Sequence, residues 1–270
     1  MDIVIAYFLY PGLLIITVLT LAFGFIVAQR RPVLPPNWRR SLLTIDGFAA
    51  VLSVILAIGA SIYMPWPFNP VYTAVAGPLL MWAALEAAFL VPSLVAQTSG
   101  SALVVRGAAR ALQIGFAGRI VVWCVFGALY WANQTWHITL LPAYGLAWVA
   151  ALMALPAAIG IGMFRSDTAL TGVMTTGLDL STVALMQLAA DVRSTVLIAA
   201  VATSLAPKGI ESEYLRFGVV MLAYLVTMIV LRFLVRNQPF TTLSAALRWC
   251  WWRALPPALL ALIYLRIITG

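Results

Sequence analysis

Charged side chains are scarce in this sequence. Asp, Glu, Lys and Arg make up 9% of its 270 residues, and 64% of the residues are hydrophobic. A soluble domain carries about 25% charged residues. Since a water-soluble fold cannot hide this much apolar surface, the composition predicts that the chain lies in a lipid bilayer.

Metal ligands and enzyme motifs are also scarce. The chain has two cysteines, Cys124 and Cys250, which lack CxxC spacing, and a single histidine, His137. These residues are too few to build a zinc or iron–sulfur site. G-x-S-x-G, P-loop, H-E-x-x-H and G-x-G-x-x-G motifs are missing from the sequence. We therefore expect no metal site and no catalytic residue in this chain, so that any redox metal belongs to partner proteins.

Long apolar runs are abundant. A transmembrane helix needs about 20 mostly apolar residues. The first run lacks the basic start and cleavage site of a signal peptide, so it is expected to remain in the mature protein. The sequence thus predicts an all-α, polytopic integral membrane protein with about eight transmembrane helices in a single domain, 1–270. The predicted spans are 3–28, 43–64, 72–97, 111–133, 138–164, 181–206, 214–235 and 249–268.

The positions of the arginines predict the orientation. They concentrate in the loops after spans 1, 3, 5 and 7, and cytoplasmic loops are enriched in Lys and Arg. Both termini are then predicted to be non-cytoplasmic. The net charge of +8 is explained by these loops and indicates no nucleic-acid partner. The nine loop arginines are Arg30, Arg31, Arg39, Arg40, Arg106, Arg110, Arg165, Arg236 and Arg248.

Lysine is represented by Lys208 alone, whereas Ala, Arg and Trp are abundant. This composition is typical of a GC-rich genome and favours a bacterial inner (cytoplasmic) membrane.

Among the charged residues inside the predicted spans, five are candidates for an intramembrane polar network: Asp46, Glu86, Arg119, Asp191 and Arg193. A charge at the bilayer centre costs at least about 2.5–3.5 kcal/mol, so each needs a reason to be there. Asp191 and Arg193 leave their helix about 200° apart and therefore do not pair with each other. Pairs of Glu86 or Asp191 with Arg119 or Arg193 would form a polar seam among spans 3, 4 and 6.

Three interpretations of this polar network are open. The charges are structural ion pairs that fix helix register, or they line a proton or ion path through a hydrated interior. The third interpretation is contact with lipid headgroups or with a neighbouring subunit.

Four segments resemble one protein family. Residues 231–265, LRFLVRNQPFTTLSAALRWCWWRALPPALLALIYL, resemble the last hairpin of the H-type, quinone-site membrane subunit of respiratory complex I. Residues 99–112, SGSALVVRGAARAL, are similar to a GS-x-x-x-x-x-GA-x-RE loop in the equivalent subunit of group 4 NiFe hydrogenases and formate hydrogenlyase. Residues 176–207 resemble that subunit's "SG … laE … K … FP" helix. The N-terminal LYPGLLIITVLTLAFGFIVAQRR resembles its first helix and basic loop.

The sequence also departs from that family. The glutamate after GA-x-R is replaced by Ala111, and the acidic loop between spans 5 and 6 keeps only Asp167. The loop that lines the quinone cavity shrinks to AQRRPVLPPNWRR. Most of the carboxylates that carry protons in the family are missing, while Glu86 and Asp191 remain and Asp191 falls near the "laE" position. The chain therefore resembles a reduced member of the family.

The resemblance implies a non-catalytic membrane subunit of an oxidoreductase complex in a respiratory chain. Its loop arginines are expected to anchor cytoplasmic iron–sulfur and redox subunits, beside other membrane-arm subunits, with quinone bound, if anywhere, at the interface with these partners. Proton translocation coupled through Asp46, Glu86 and Asp191 is a further expectation. The alternatives are a stand-alone small permease or channel, and a purely structural assembly subunit.

Overall fold

All regular structure in the described parts of the chain is helical. A computed structural model describes residues 2–29, 38–69, 71–72, 76–132, 138–164, 175–206, 210–236 and 242–269. The α-helices within these ranges are α1 (Asp2–Phe8), α2 (Leu13–Phe23), α3 (Trp38–Ser41), α4 (Ile45–Ile62), α5 (Gly77–Gln97), α6 (Ala102–Ala132), α7 (Leu141–Ile159), α8 (Leu180–Leu205), α9 (Glu213–Val235), α10 (Leu243–Trp249) and α11 (Leu255–Thr269).

The described helices include eight segments that are long and apolar enough to cross a membrane, which confirms the predicted number. Six of them are α4 to α9. The first is built from α1, α2 and a π-helical turn, Gly24–Ala28, and the eighth from α10, a π-helical turn, Cys250–Ala254, and α11. The protein is therefore an all-helical, multi-pass membrane protein. The orientation of its termini and its single-domain organisation stay predictions.

The first span is interrupted at Pro11 and Gly12. Proline has no N–H to donate, so the chain turns, and the Gly12 N–H reaches back to the Ala6 carbonyl at 2.9 Å. A Cβ at position 12 would lie 2.0 Å from the Tyr7 carbonyl oxygen. Only glycine fits this close approach of the backbone to itself.

Two helices begin earlier than hydropathy predicts. The prediction that three arginines lie in loops is therefore wrong. The fourth span begins at Ala102 rather than at 111, and the eighth at Leu243 rather than at 249. Arg106 and Arg110 thus lie in α6, and Arg248 lies in α10. The reason is that Ala, Leu and Arg are all good helix formers, so backbone hydrogen bonding continues where the apolar run has ended.

Several sequence predictions concern residues that lie outside the described ranges. These residues are Arg30, Arg31, Arg165, His137, Asp167 and Lys208.

The helices cluster into two compact units. Unit 1 comprises Met1–Leu112 and Ser166–Leu197, and unit 2 comprises Gln113–Arg165 and Ile198–Gly270. In unit 1, α5 packs along α4, which also contacts α1 and α2. Ala50 of α4 shares a small apolar cluster with Met186 and Ala189 of α8.

In unit 2, α7 packs against α11, the π turn of the eighth span and α9. The backbones of α6 and α7 come close at Gly118, where a Cβ would lie 2.4 Å from the Ala158 nitrogen. Small residues at helix contacts allow such close approach and are typical of membrane proteins.

Candidate functional site

Arg193, halfway along α8, contacts two other membrane-spanning helices of unit 1. Its Nη1 donates to the Ser53 hydroxyl of α4 at 2.7 Å and lies 3.5 Å from the Ala88 carbonyl oxygen of α5. The Ser53 hydroxyl in turn donates to that same carbonyl at 2.7 Å. The guanidinium carbon lies 5.4 Å from the centre of the Phe89 ring. A single cationic side chain therefore joins α8 to α4 and α5.

Pro92 explains why the Ala88 carbonyl accepts these bonds. In an α-helix each carbonyl accepts the N–H four residues later, and Pro92 occupies that position and has no N–H. The carbonyl of Ala88 thus loses its intrahelical partner in the middle of α5. The hydroxyl of Ser53, which is fully buried, supplies the missing donor from the neighbouring helix.

This arrangement offsets the cost of burying a charge. A hydrogen bond from a charged group contributes about 1.5–3 kcal/mol, and a cation–π contact about 0.5–2 kcal/mol. An arginine at the bilayer centre costs about 2.5–3.5 kcal/mol on insertion scales. The Ser53 bond and the Phe89 contact are therefore of the size required to keep Arg193 inside the membrane.

The structure places three predicted acidic residues in unit 1. Glu86 lies in the middle of α5 and is 7% exposed, and Asp191 lies two residues before Arg193 and is partly buried. Asp46 occupies the first turn of α4, directly after the Thr44 side chain that caps the helix by accepting the Gly47 N–H. Acidic residues are favoured in this turn by the helix dipole, which gives Asp46 a local reason for its position.

Arg119 lies on the part of α6 that belongs to unit 2 and is 3% exposed. A Cβ at Gly115, one turn earlier, would lie 2.8 Å from Arg119 Nη1. The missing side chain at Gly115 therefore gives the guanidinium its space. The predicted ion pairs of Arg119 and Arg193 with Glu86 and Asp191 stay predictions.

The arginines that the sequence assigned to loops lie in helices or directly after one, where the structure describes them. Arg39 and Arg40 are exposed in the short helix α3, and Arg106 is exposed near the start of α6, with the partly buried Arg110 one turn later. Arg236 directly follows α9 and is exposed. Arg39, Arg40, Arg106 and Arg236 therefore place positive charge on the exposed surface of the described helices.

Asp179 directly precedes α8 and lies just outside the bilayer-spanning segment. Its carboxylate accepts the backbone N–H groups of Ser181 and Thr182 at 3.1 and 3.2 Å, and also the Thr182 hydroxyl. The Thr182 hydroxyl first, and then these N–H groups, hold the pKa of Asp179 below its ordinary value. The sixth span therefore starts at a charged cap.

In the described part of the chain, no three His, Cys, Asp or Glu side chains come together as a metal site would require.

Three residues of the Arg193 site were not singled out from the sequence: Ser53, Ala88 and Pro92. Pro92 carried the only signal, because a proline within an apolar span frees the carbonyl four residues before it.

The fold and this site define a class of protein: a polytopic helical membrane protein in which neighbouring helices hold a charged side chain inside the bilayer. No family model and no curated protein matches the sequence. Solved structures do match. One is a chain of the membrane-bound sulfane sulfur reductase, an archaeal respiratory membrane complex, with a TM-score of 0.67. The two chains are 16% identical, and the match covers 98% of this chain and 100% of that one. At this identity the match establishes a shared fold.

Proposed function

We propose that this chain is a membrane subunit of a multi-subunit respiratory redox complex related to complex I and the group 4 hydrogenases. The observation that carries the proposal is the full-length match to a chain of an archaeal respiratory membrane complex. The resemblance of four sequence segments to the H-type subunit is consistent with it. In this proposal the electron carriers reside in partner subunits, and any quinone site lies at the interface with them.

Within such a complex, we assign the exposed arginines the role of docking the cytoplasmic redox arm. Arg39 and Arg40 are adjacent, exposed and held on one short helix, so together they present two positive charges to a partner. Complementary charge across an interface raises association rates and suppresses wrong partners. The exposed Arg106 and Arg236 extend the same role to other helices, together with the partly buried Arg110.

Charge reversal tests the docking role. In R39E/R40E we expect the soluble redox subunits to be lost from the purified complex, because attraction is replaced by like-charge repulsion. The matched control is R266E, which reverses the charge of an exposed arginine near the end of α11. Arg266 and Arg248 lie at opposite ends of the eighth span. Retention of the soluble subunits by R39E/R40E at physiological salt would contradict the docking role.

Proton coupling is assigned to Glu86, Asp191 and Asp46. Ionisable residues within membrane-spanning segments mark proton relays in pumps and transporters. We expect E86Q and D191N to lower the number of protons moved per electron transferred, while electron transfer itself continues. Unchanged proton-to-electron ratios in both variants, measured in sealed vesicles, would remove these residues from the coupling path.

A structural role is favoured for Arg193 itself. Its observed bonds reach a serine and a backbone carbonyl of neighbouring helices, which is the pattern of a tie between helices. We therefore expect R193Q to lower stability and assembly more than it lowers the proton-to-electron ratio of the complex that still forms.

A further inference from the structure

A cleft of about 360 Å³ lies at the start of the eighth span, within unit 2. Two arginines and two tryptophans dominate its lining, and the described residues around it include no carboxylate. The lining residues are Met163, Phe164, Ala245, Arg248, Trp249, Trp252 and Arg253. The cleft thus combines positive charge with large amphipathic rings.

Trp249 forms a fixed wall of this cleft. Its indole N–H donates to the Met153 carbonyl of α7 at 2.9 Å, and its ring packs edge-on against Phe164 at 6.1 Å. The guanidinium of Arg253 lies over the same ring at 4.7 Å. Arg253 is therefore oriented by a ring that is itself held in place on two sides.

The π turn explains how two arginines five residues apart reach one cleft. In an α-helix, residues five apart point about 140° away from each other, whereas the wider π turn stacks such residues more closely. Cys250–Ala254 adopt this turn directly before Pro256 and Pro257, whose missing N–H groups break the regular α pattern. π turns inside α-helices are frequent at functional sites.

The exposure of the eighth span and the residues beside the cleft indicate what kind of ligand the cleft binds. Only 22% of its most apolar window is buried, the smallest share among the eight spans, so most of this helix is exposed on the surface of the chain. Trp252 is 78% exposed beside the arginines. Tryptophan prefers the headgroup level of a bilayer, and basic pockets between helices at that level bind anionic headgroups. Arginine also suits phosphate, because its planar guanidinium binds two oxygens at once.

We propose that this cleft binds the phosphate of an anionic phospholipid, with Arg248 and Arg253 contacting the phosphate and Trp252 lying against the glycerol region. This assignment removes Arg248 from the arginines that dock the redox arm. It stands independently of the proposed function, since it rests only on unit 2 and the bilayer.

The test is native mass spectrometry of the purified chain in detergent, titrated with phosphatidylglycerol or with phosphatidylcholine. We expect the wild type to prefer phosphatidylglycerol and R248Q/R253Q to lose that preference. The affinity of R248Q/R253Q for phosphatidylglycerol should fall about 25-fold, because each arginine near an anionic lipid surface contributes about fivefold. The control R40Q/R106Q removes the same charge from two exposed arginines outside the cleft and should retain the preference.

Further measurements distinguish a phospholipid in the cleft from free phosphate and from a partner subunit. If R248Q/R253Q does not fold, R248Q and R253Q are measured singly, each with an expected loss of about fivefold. Equal loss in the control variant, or no preference in the wild type, overturns the proposal. Displacement of the lipid by millimolar inorganic phosphate would assign the cleft to free phosphate instead. Loss of a partner subunit on substitution, without change in bound lipid, would make it a protein interface.

Discussion

Replacing Ser53 with alanine tests the physical account of the Arg193 site. Ser53 donates to the Ala88 carbonyl at 2.7 Å and accepts from Arg193 at 2.7 Å. A neutral hydrogen bond contributes about 0.5–1.5 kcal/mol and one to a charged group about 1.5–3 kcal/mol, whereas polar pairs measured in membranes average about 0.6 kcal/mol. We therefore expect S53A to lower the free energy of unfolding by about 1–3 kcal/mol.

The structure also predicts that this loss depends on Pro92. In P92A the new N–H of residue 92 is four residues after Ala88 and satisfies its carbonyl within α5. In the P92A background, S53A no longer leaves the Ala88 carbonyl without a donor. The substitution should therefore lower the free energy of unfolding less than it does in the wild-type chain. The expected coupling between the two substitutions is about 0.6–1.7 kcal/mol, from the average to the largest value measured for polar pairs in membranes.

The assay is unfolding of the purified protein by SDS in mixed micelles, followed by tryptophan fluorescence, for the wild type, both single variants and the double variant. The matched control is S194A. Ser194 is a buried neighbour of Arg193 whose hydroxyl donates to the Ala190 carbonyl of its own helix at 2.7 Å. Additive effects of S53A and P92A, within the 0.3–0.5 kcal/mol typical of independent sites, would refute the reasoning.

Two further substitutions have defined outcomes. G118A should lower the free energy of unfolding by about 1–3 kcal/mol, because its Cβ would meet the backbone of α7. The control is G127A on the same helix, where the Cβ would enter open space. It should leave the free energy of unfolding unchanged or raise it by up to about 1 kcal/mol. D179A should lower the thermal midpoint at pH 7. The stabilisation from this carboxylate is present above the unfolded pKa of about 3.9 and disappears as pH falls through the lower folded pKa, so the difference in midpoint between wild type and D179A should shrink steadily as pH is lowered below about 4. A difference in midpoint that does not shrink as pH is lowered below about 4 would mean that the carboxylate charge is not its cause.

The number and type of the spans could be predicted from the sequence because each depends on a local property, an apolar run of about 20 residues. The starts of the fourth and eighth spans could not, since hydropathy falls at Arg106 and Arg248 while helical hydrogen bonding continues. Helix propensity, rather than apolar character, determines those boundaries.

The charged residues of the site were visible in the sequence, but their partners were not. Arg193 bonds to Ser53, 140 residues away, and approaches Ala88, 105 residues away, and these contacts depend on how α4, α5 and α8 pack. Pro92 was the one local clue, because it reveals a carbonyl in need of a donor without revealing which helix supplies it.

The central claim is that the chain is a subunit of a respiratory redox complex. The most direct test is affinity purification of the chain in a mild detergent, followed by mass spectrometry of the proteins that accompany it. We expect stoichiometric co-purification of antiporter-like membrane subunits together with iron–sulfur or hydrogenase-type large subunits. Recovery of the chain alone, with transport activity in liposomes, would contradict the proposed function and favour a stand-alone permease.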